Sequence, residues 1–147
     1  MEANRIGNKY KDFVIGDVIR HQLSKTIFES DNNLFCLLTM NHHPVHTNEH
    51  YARGAHHGKI LVAGTYVFSL VVGITVEDIS GKAIANLEYQ CVTHLAPVFI
   101  GDTLYAETEI LSKHRTKTGL GIVGVRTVAK NQKGKNVLVF ERKILVK

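Results

Sequence analysis

The sequence has little cysteine and no apolar run near its start. Its two cysteines, Cys36 and Cys91, stand in the apolar stretches LFCLL and YQCVTHL, where a free buried thiol is commoner than a disulfide. The first residues, MEANRIGNKYKDF, lack both the apolar run of a secretion signal and the Arg- and Ser-rich, acid-free composition of a transit peptide. We therefore expect no targeting peptide, a reducing compartment and a cytoplasmic protein.

Recognisable nucleic-acid-binding motifs are also missing. The formal net charge of +5 favours an anionic partner such as a nucleotide, a nucleic acid or an acidic metabolite. The basic residues, however, concentrate in SKHRTKTG and KNQKGKN, which are typical of solvated hairpin tips, and no aromatic residues alternate with them. We therefore expect no nucleic-acid partner.

Charge is absent from one long stretch, Ile60 to Val76, which reads ILVAGTYVFSLVVGITV. It is shorter than the ~20 residues that a bilayer core requires, and glycine, serine and threonine dilute it. The better prediction is a buried core helix and no membrane partner. A helix that is apolar nearly all round needs cover on most sides, which a curved sheet would supply.

The rest of the chain predicts such a sheet. Val18 to Phe28 alternates imperfectly with a period of two, and SDNNLFCLLTM then predicts a helix with Ser30 or Asp31 as its N-cap. Four later runs are rich in β-formers and are separated by turn residues: AIANLEYQCVTHL, TLYAETEILSKHR, GIVGVRTVAKN and NVLVFERKILVK. We predict one α+β domain over residues 1–147, in which a four-strand meander, completed by the first strand, covers the helix.

Histidine is concentrated in one loop. Six of the nine histidines lie between Thr39 and His57, in TMNHHPVHTNEHYARGAHH. The spacings of His43, His46 and His50 would suit zinc, but Pro44 disrupts a shared helical face and no cysteine is nearby. A metal site is therefore a minor alternative, and we predict none.

Three segments together carry a family resemblance: MNHHPVHTNEHYA, HGKILVAGTYVFSLVVGI and PVFIGDTLYAETEIL. They resemble the hotdog-fold MaoC-like dehydratases, the family of (R)-specific enoyl-CoA hydratases, from about Phe28 to the C-terminus. The resemblance implies a single hotdog fold, with a long central helix wrapped by an antiparallel β-sheet. The most specific part of the likeness is the hydratase motif Asp-x-Asn-Pro-x-His, which here reads Asn41-His42-His43-Pro44-Val45-His46.

Two positions depart from that motif. Asn41 stands in place of the family's catalytic aspartate, and His43 stands in place of its asparagine. An amide cannot accept the proton, so the change either removes activity or means that the catalytic roles are distributed differently among the site residues. The segment TMNHHPVH, together with ANLEYQ and PVFIGDTLYAE, resembles the subgroup of mesaconyl-CoA hydratases, or β-methylmalyl-CoA dehydratases. That subgroup also carries asparagine at the Asn41 position.

The resemblance implies a hydro-lyase that adds or removes water across the double bond of an enoyl-CoA. Such chemistry requires a base for the water, an acid for the α-carbon and stabilisation of the enolate oxygen. His46 is the natural base and acid, because an imidazole exchanges protons near neutral pH. Asn41 would hold the water, and the backbone N–H of Gly64 would face the thioester carbonyl, although a helix-packing glycine is an equal alternative. His43 is the best candidate to receive a second substrate carboxylate, as a branched dicarboxylic acyl-CoA carries.

The resemblance also implies partners. We expect a homodimer or a multiple of dimers, an acyl-CoA thioester as substrate, and no cofactor apart from the coenzyme A within that substrate. Three basic residues are candidates to meet its phosphates, within a subunit or across the dimer: Lys113, Arg115 and Lys117.

Two other functions remain open. A hotdog thioesterase would need a carboxylate on or near the central helix, but none occurs from Ile60 to Val76, and Glu77 comes only at its end. A non-catalytic acyl-CoA-binding domain is made plausible by the loss of the aspartate.

Overall fold

An antiparallel sheet of six strands is the largest element of the computed structural model, which describes residues 6–147. The first five residues of the stretch in which we predicted no targeting peptide lie outside the described residues. The sheet order is β1-β4-β5-β6-β3, and β2 pairs separately with β4. The strands are β1 Val18–Arg20, β2 Lys25–Thr26, β3 Ala85–His94, β4 Thr103–Arg115, β5 Gly121–Lys130 and β6 Asn136–Val146.

The predicted four-strand meander is wrong in one pairing. Strands β4, β5 and β6 do form consecutive hairpins, but β3 pairs with β6, with His94 opposite Leu138. The segment around Pro97 therefore crosses to the far side of the sheet instead of closing a hairpin. This crossing matters for function, because it carries the end of β3 over the start of the central helix.

The predicted strand from Val18 to Phe28 is two short strands. Val18 pairs with Glu109 and Thr26 pairs with Thr103, so both strands lie along β4. Between them the imidazole of His21 turns into the interior, where its two ring nitrogens contact Asp78 and Thr108, each at 2.7 Å. The predicted strand is therefore interrupted at His21, where the side chain makes these buried polar contacts.

Four α-helices lie on the sheet or at its end: α1 Glu29–Leu38, α2 Pro44–Thr47, α3 Glu49–Arg53 and α4 Gly64–Ile74. The predicted N-cap of α1 was misplaced, because the helix begins at Glu29 and its N-cap is Phe28. The Asp31 carboxylate lies inside the first turn, where it accepts from the Phe28 N–H at 2.9 Å and from Lys25 at 2.8 Å. These two hydrogen bonds lower the pKa of Asp31.

The central helix is shorter than the uncharged stretch that predicted it. Leu61 forms an isolated antiparallel bridge with Phe99, and the chain becomes helical only at Gly64. Helix α4 buries Val67, Val71 and Ile74, and a short π-helical turn over Val76–Ser80 follows it. No helix among residues 6–147 combines the length and apolar character needed to cross a bilayer. The expected arrangement of a central helix covered by an antiparallel sheet is confirmed.

The two cysteines differ in environment. Both are free, but only Cys36 is buried, and burial raises the pKa of its thiol. Cys91 is exposed at an irregular point of β3, with a φ of 52°, which contradicts the prediction of two buried thiols.

Candidate active site

The histidine-rich loop begins where α1 ends. Met40 adopts a left-handed conformation with a φ of 60°, which turns the chain sharply, and the Asn41 N–H then donates to the Cys36 carbonyl at 3.0 Å. The Asn41 side chain is half-buried, and its only hydrogen bond within residues 6–147 is a long one, from the His43 N–H at 3.5 Å. The amide is therefore held at the mouth of the loop with its hydrogen-bonding capacity largely unused.

His43 has a defined structural role as the N-cap of α2. Its Nδ1 accepts the Val45 N–H at 3.1 Å, and Pro44 occupies the first helical position, where its missing N–H has no consequence. Because Nδ1 is an acceptor, the neutral imidazole of His43 carries its proton on Nε2. That ring lies edge-on to the His46 ring, with 6.0 Å between the centroids.

His46 is fixed by a short hydrogen bond between Nδ1 and the Leu61 carbonyl, at 2.6 Å. A carbonyl oxygen can only accept, so Nδ1 must carry the hydrogen. In the neutral ring Nε2 is then unprotonated and able to take a proton. The Leu61 N–H in turn donates to the Val45 carbonyl at 3.2 Å, which ties α2 to the extended segment before α4.

Asn32 also connects α2 to the extended segment before α4. This α1 side chain is 1% exposed; its Nδ2 donates to the His46 carbonyl and its Oδ1 accepts the Ala63 N–H, each at 3.0 Å. A buried amide needs partners at both ends, and here each partner belongs to a different part of the site.

Gly64 begins α4 beside a cavity of about 440 Å³. Within the described chain, the N–H groups of Gly64 and Thr65 have no hydrogen-bond acceptor, as expected for the first turn of a helix. The His94 ring closes over Gly64, where a Cβ would come within 3.0 Å of its Cε1 and Nε2. A larger residue at this position would require the His94 ring to shift by a few tenths of an ångström. His57 and Leu61 also line the cavity, together with Val62, Val67 and the 95–98 segment.

Comparisons with known proteins identify the family of this chain. The family model described as a MaoC like domain matches residues 12–131. The chain belongs to the MaoC-like family. It is 34% identical over 142 residues to the mesaconyl-CoA hydratase of Cereibacter sphaeroides, which covers 96% of this chain and 41% of that protein. It is 33% identical over 142 residues to the β-methylmalyl-CoA dehydratase of Chloroflexus aurantiacus, covering 96% of this chain and 40% of that protein.

A solved structure shares the hotdog fold over the whole chain. A MaoC domain protein of Chloroflexus aurantiacus superposes with a TM-score of 0.93 at 32% identity, covering 100% of this chain and 42% of that one. The chain thus spans about two fifths of the length of the curated relatives and of this structure.

Within this MaoC-like domain, four of the predicted site residues lie in one region. Asn41, His43 and His46 share the loop, and the Leu61 carbonyl links His46 to the segment that leads into Gly64. The acidic residue that a thioesterase would use is elsewhere, because Glu77 lies in the turn after the opposite end of α4.

The three predicted phosphate contacts lie far from this region of the protomer. Lys113 is ten positions beyond Thr103 along β4, roughly 30 Å from the end of the sheet that carries the loop. Lys113 and Arg115 enclose the Tyr10 ring, at 4.4 and 4.2 Å from its centroid, and also donate to main-chain carbonyls. Lys117 follows in the turn after β4. One protomer does not bring these cations to His46.

The remaining histidines of the loop are exposed. His56 and His57 pack edge-on at 4.8 Å between centroids, and His57 also contacts the Phe99 ring. Among residues 6–147 no group of three or more His, Cys, Asp or Glu side chains has an arrangement that could hold a metal ion.

Sequence reasoning missed two residues of this MaoC-like site. His94 was counted only as part of a strand, and its approach to Gly64 depends on the crossing between β3 and β4. Asn32 did leave a signal: it is a polar residue that shares one face of α1 with Cys36, while leucines occupy the exposed face.

Proposed function

We propose that this chain is a single MaoC-like hotdog domain that catalyses the hydration of an enoyl-CoA or the reverse dehydration. The observation that carries the proposal is the orientation of His46, whose Nδ1–H is bound to the Leu61 carbonyl so that Nε2 is left to exchange protons. The names of the curated relatives support the same reaction class.

In the proposed hydration, His46 Nε2 takes a proton from water while the water oxygen bonds to the β-carbon of the substrate. The double-bond electrons move toward the α-carbon and the thioester oxygen, which becomes an enolate. His46 then returns its proton to the α-carbon, so that one water molecule has been added. Asn41 holds the attacking water through its amide group, which has only one long hydrogen bond within the described chain.

The enolate oxygen is received at the start of α4. The N–H groups of Gly64 and Thr65 have no acceptor among the described residues, and the positive end of the helix dipole lies at the same place. Gly64 and His94 both line the cavity at this helix start, which supports a binding place for the thioester beside the backbone.

The proposed substrate is a branched dicarboxylic enoyl-CoA such as mesaconyl-CoA. Two features support it. An amide at position 41 avoids placing a carboxylate beside the substrate's own carboxylate in a pocket poor in water. In addition, the Nδ1 of His43 is occupied by α2, which leaves an Nε2–H donor on the ring beside His46 for that carboxylate.

The proposal includes a homodimer. Since Lys113 and Arg115 lie at the opposite end of the sheet from His46, any contact they make with CoA phosphates would come from a partner subunit. Replacing Arg115 with alanine should then weaken binding of the CoA ester in a salt-dependent way.

The test follows the loss of conjugated-thioester absorbance when purified protein meets mesaconyl-CoA and, separately, crotonyl-CoA. We expect turnover of mesaconyl-CoA that is abolished in His46→Ala but retained in His42→Ala, which changes an exposed histidine of the same loop. Failure to turn over either ester, with binding of both retained, would instead make the chain a non-catalytic acyl-CoA-binding domain. Preference for crotonyl-CoA would contradict the dicarboxylic substrate alone.

A further inference from the structure

We propose that Asn32 is a positioning residue that holds the base His46 in register with the helix start that receives the thioester oxygen. This inference rests on the proposed function. Asn32 lies on α1, 14 residues before His46 and 31 residues before Ala63, yet its amide bonds both.

The two hydrogen bonds of Asn32 fix relative position. Nδ2 holds the main chain of His46 through its carbonyl, and Oδ1 holds the N–H of Ala63, the residue directly before Gly64. The Leu61 carbonyl, which orients the His46 ring, lies on the segment between these two anchor points. The base and the oxyanion donors are therefore joined through one side chain as well as through the chain segment that separates them.

Packing alone does not account for an asparagine here. Helix α1 buries Asn32 and Cys36, whereas Leu34, Leu37 and Leu38 are 58%, 53% and 75% exposed. A leucine at position 32 would fill similar space, but it would leave the Ala63 N–H and the His46 carbonyl without their partners. An asparagine is favoured at such a site only if its two hydrogen bonds are needed where they are.

The expected consequence is a loss of rate rather than of binding. A displacement of about 1 Å between reacting groups can reduce a rate ~100-fold. The contacts of Asn32 do not include the cavity-lining side chains. Asn32→Leu should therefore lower kcat by roughly 10- to 100-fold while KM changes less than about threefold.

Asn32→Asp separates the two contacts. A carboxylate still accepts the Ala63 N–H but cannot donate to the His46 carbonyl, so the α4 anchor survives while the His46 anchor is lost. This nearly isosteric variant should also lose kcat, and it keeps the test decisive if Asn32→Leu does not fold. Asn33→Leu is the matched control, because it makes the same substitution at the next position of α1, where the side chain is exposed and has no hydrogen bond among the described residues.

The closing experiment combines kinetics with nitrogen-15 NMR of the His46 ring, assigned with His46→Ala. We expect wild type and Asn33→Leu to show a protonated, slowly exchanging Nδ1 and an unprotonated Nε2. In the Asn32 variants, the Nδ1–H signal should exchange faster as kcat falls. Wild-type kcat and ring signals in both Asn32 variants, or an equal loss in Asn33→Leu, would overturn the positioning role.

The NMR measurement also distinguishes the two proposals. Wild-type protein that turns over neither ester would refute the proposed function, and the ring signals alone would then decide whether Asn32 positions His46.

Discussion

At the residue scale, the amide of Asn41 is the main departure of this domain from its family motif. The side chain lies just after α1, where Oδ1 accepts the His43 N–H at 3.5 Å and the rest of its hydrogen-bonding capacity is unused by the described chain. A carboxylate at the same point would repel an anionic group on the β-carbon and would tolerate an uncharged one. The side chain at position 41 should therefore determine whether the site favours a charged or an uncharged group on the β-carbon.

Asn41→Asp should shift preference from mesaconyl-CoA toward crotonyl-CoA. We expect the ratio of the two kcat/KM values to change by ~10-fold or more, which corresponds to about 1.4 kcal/mol of differential transition-state stabilisation. Steady-state kinetics with both esters measures this ratio.

A matched control exists in the same loop. Asn48 caps α3 by accepting the Tyr51 N–H, a role that aspartate fills equally well, so Asn48→Asp adds the same charge without changing the helix. An unchanged ratio in Asn41→Asp, or an equal shift in Asn48→Asp, would show that charge at position 41 does not select the substrate.

At the element scale, the two ends of α4 differ in their hydrogen bonding. At its start the N–H groups of Gly64 and Thr65 have no acceptor among the described residues, whereas at its end the Thr75 hydroxyl accepts from Arg142 Nη2 at 3.0 Å. Arg142 is 1% exposed, and its Nε and Nη1 have no partner among the described residues. Burial lowers the pKa of this guanidinium, while the Tyr89 phenol opposes the shift. The charged side chain is thus buried in the core with the Thr75 hydroxyl as its one acceptor at hydrogen-bond distance among residues 6–147.

Removing that bond should destabilise the fold more than removing the charge. Thr75→Val leaves Nη2 unpaired as well, which should lower the free energy of unfolding by about 1–3 kcal/mol. Arg142→Met takes away the buried charge and keeps an apolar chain of similar length, so it should be near neutral or stabilising. Denaturant unfolding of both variants tests the comparison.

The double variant is the internal control. If the hydroxyl acts through the guanidinium, Thr75→Val should have little effect in an Arg142→Met background. A full loss in that background would mean that Thr75 stabilises the end of α4 without Arg142.

At the scale of the whole molecule, the two edges of the sheet are unequal. Strand β1 is three residues long, whereas β3 is ten residues long and exposes Leu87, Tyr89 and Val92 at 46%, 40% and 41%. A long apolar edge is a ready template for pairing with another strand. We infer that β3 is the edge through which two copies pair.

Light scattering should give a mass of twice the 16.4 kDa chain for wild-type protein. Val92→Lys should move the mass toward that of one chain, because a charge on the pairing edge opposes association. Val18→Lys, which places the same charge on the opposite edge at a residue that is 54% exposed, should leave the dimer intact. A monomeric wild type, or dissociation of the Val18 variant instead, would contradict pairing through β3.

The sequence by itself determined the elements and the motif. Alternation and turn residues located the four long strands, an uncharged stretch located the central helix, and the motif from Asn41 to His46 pointed to the loop. These signals are local, since each depends on neighbours within one strand, one helical turn or one loop. The fold class could therefore be predicted, whereas the ends of α4 and the first turn of α1 were displaced by a few residues.

Only the tertiary structure decided which strands pair and which distant groups meet. Strand β3 has the same alternation whether it pairs with β4 or β6, so its position depends on where the chain crosses after Pro97. That crossing brings His94 over Gly64, and the packing of α1 brings Asn32 to both His46 and Ala63. Contacts between residues so far apart in sequence follow from the packing of whole elements, and no local pattern encodes them.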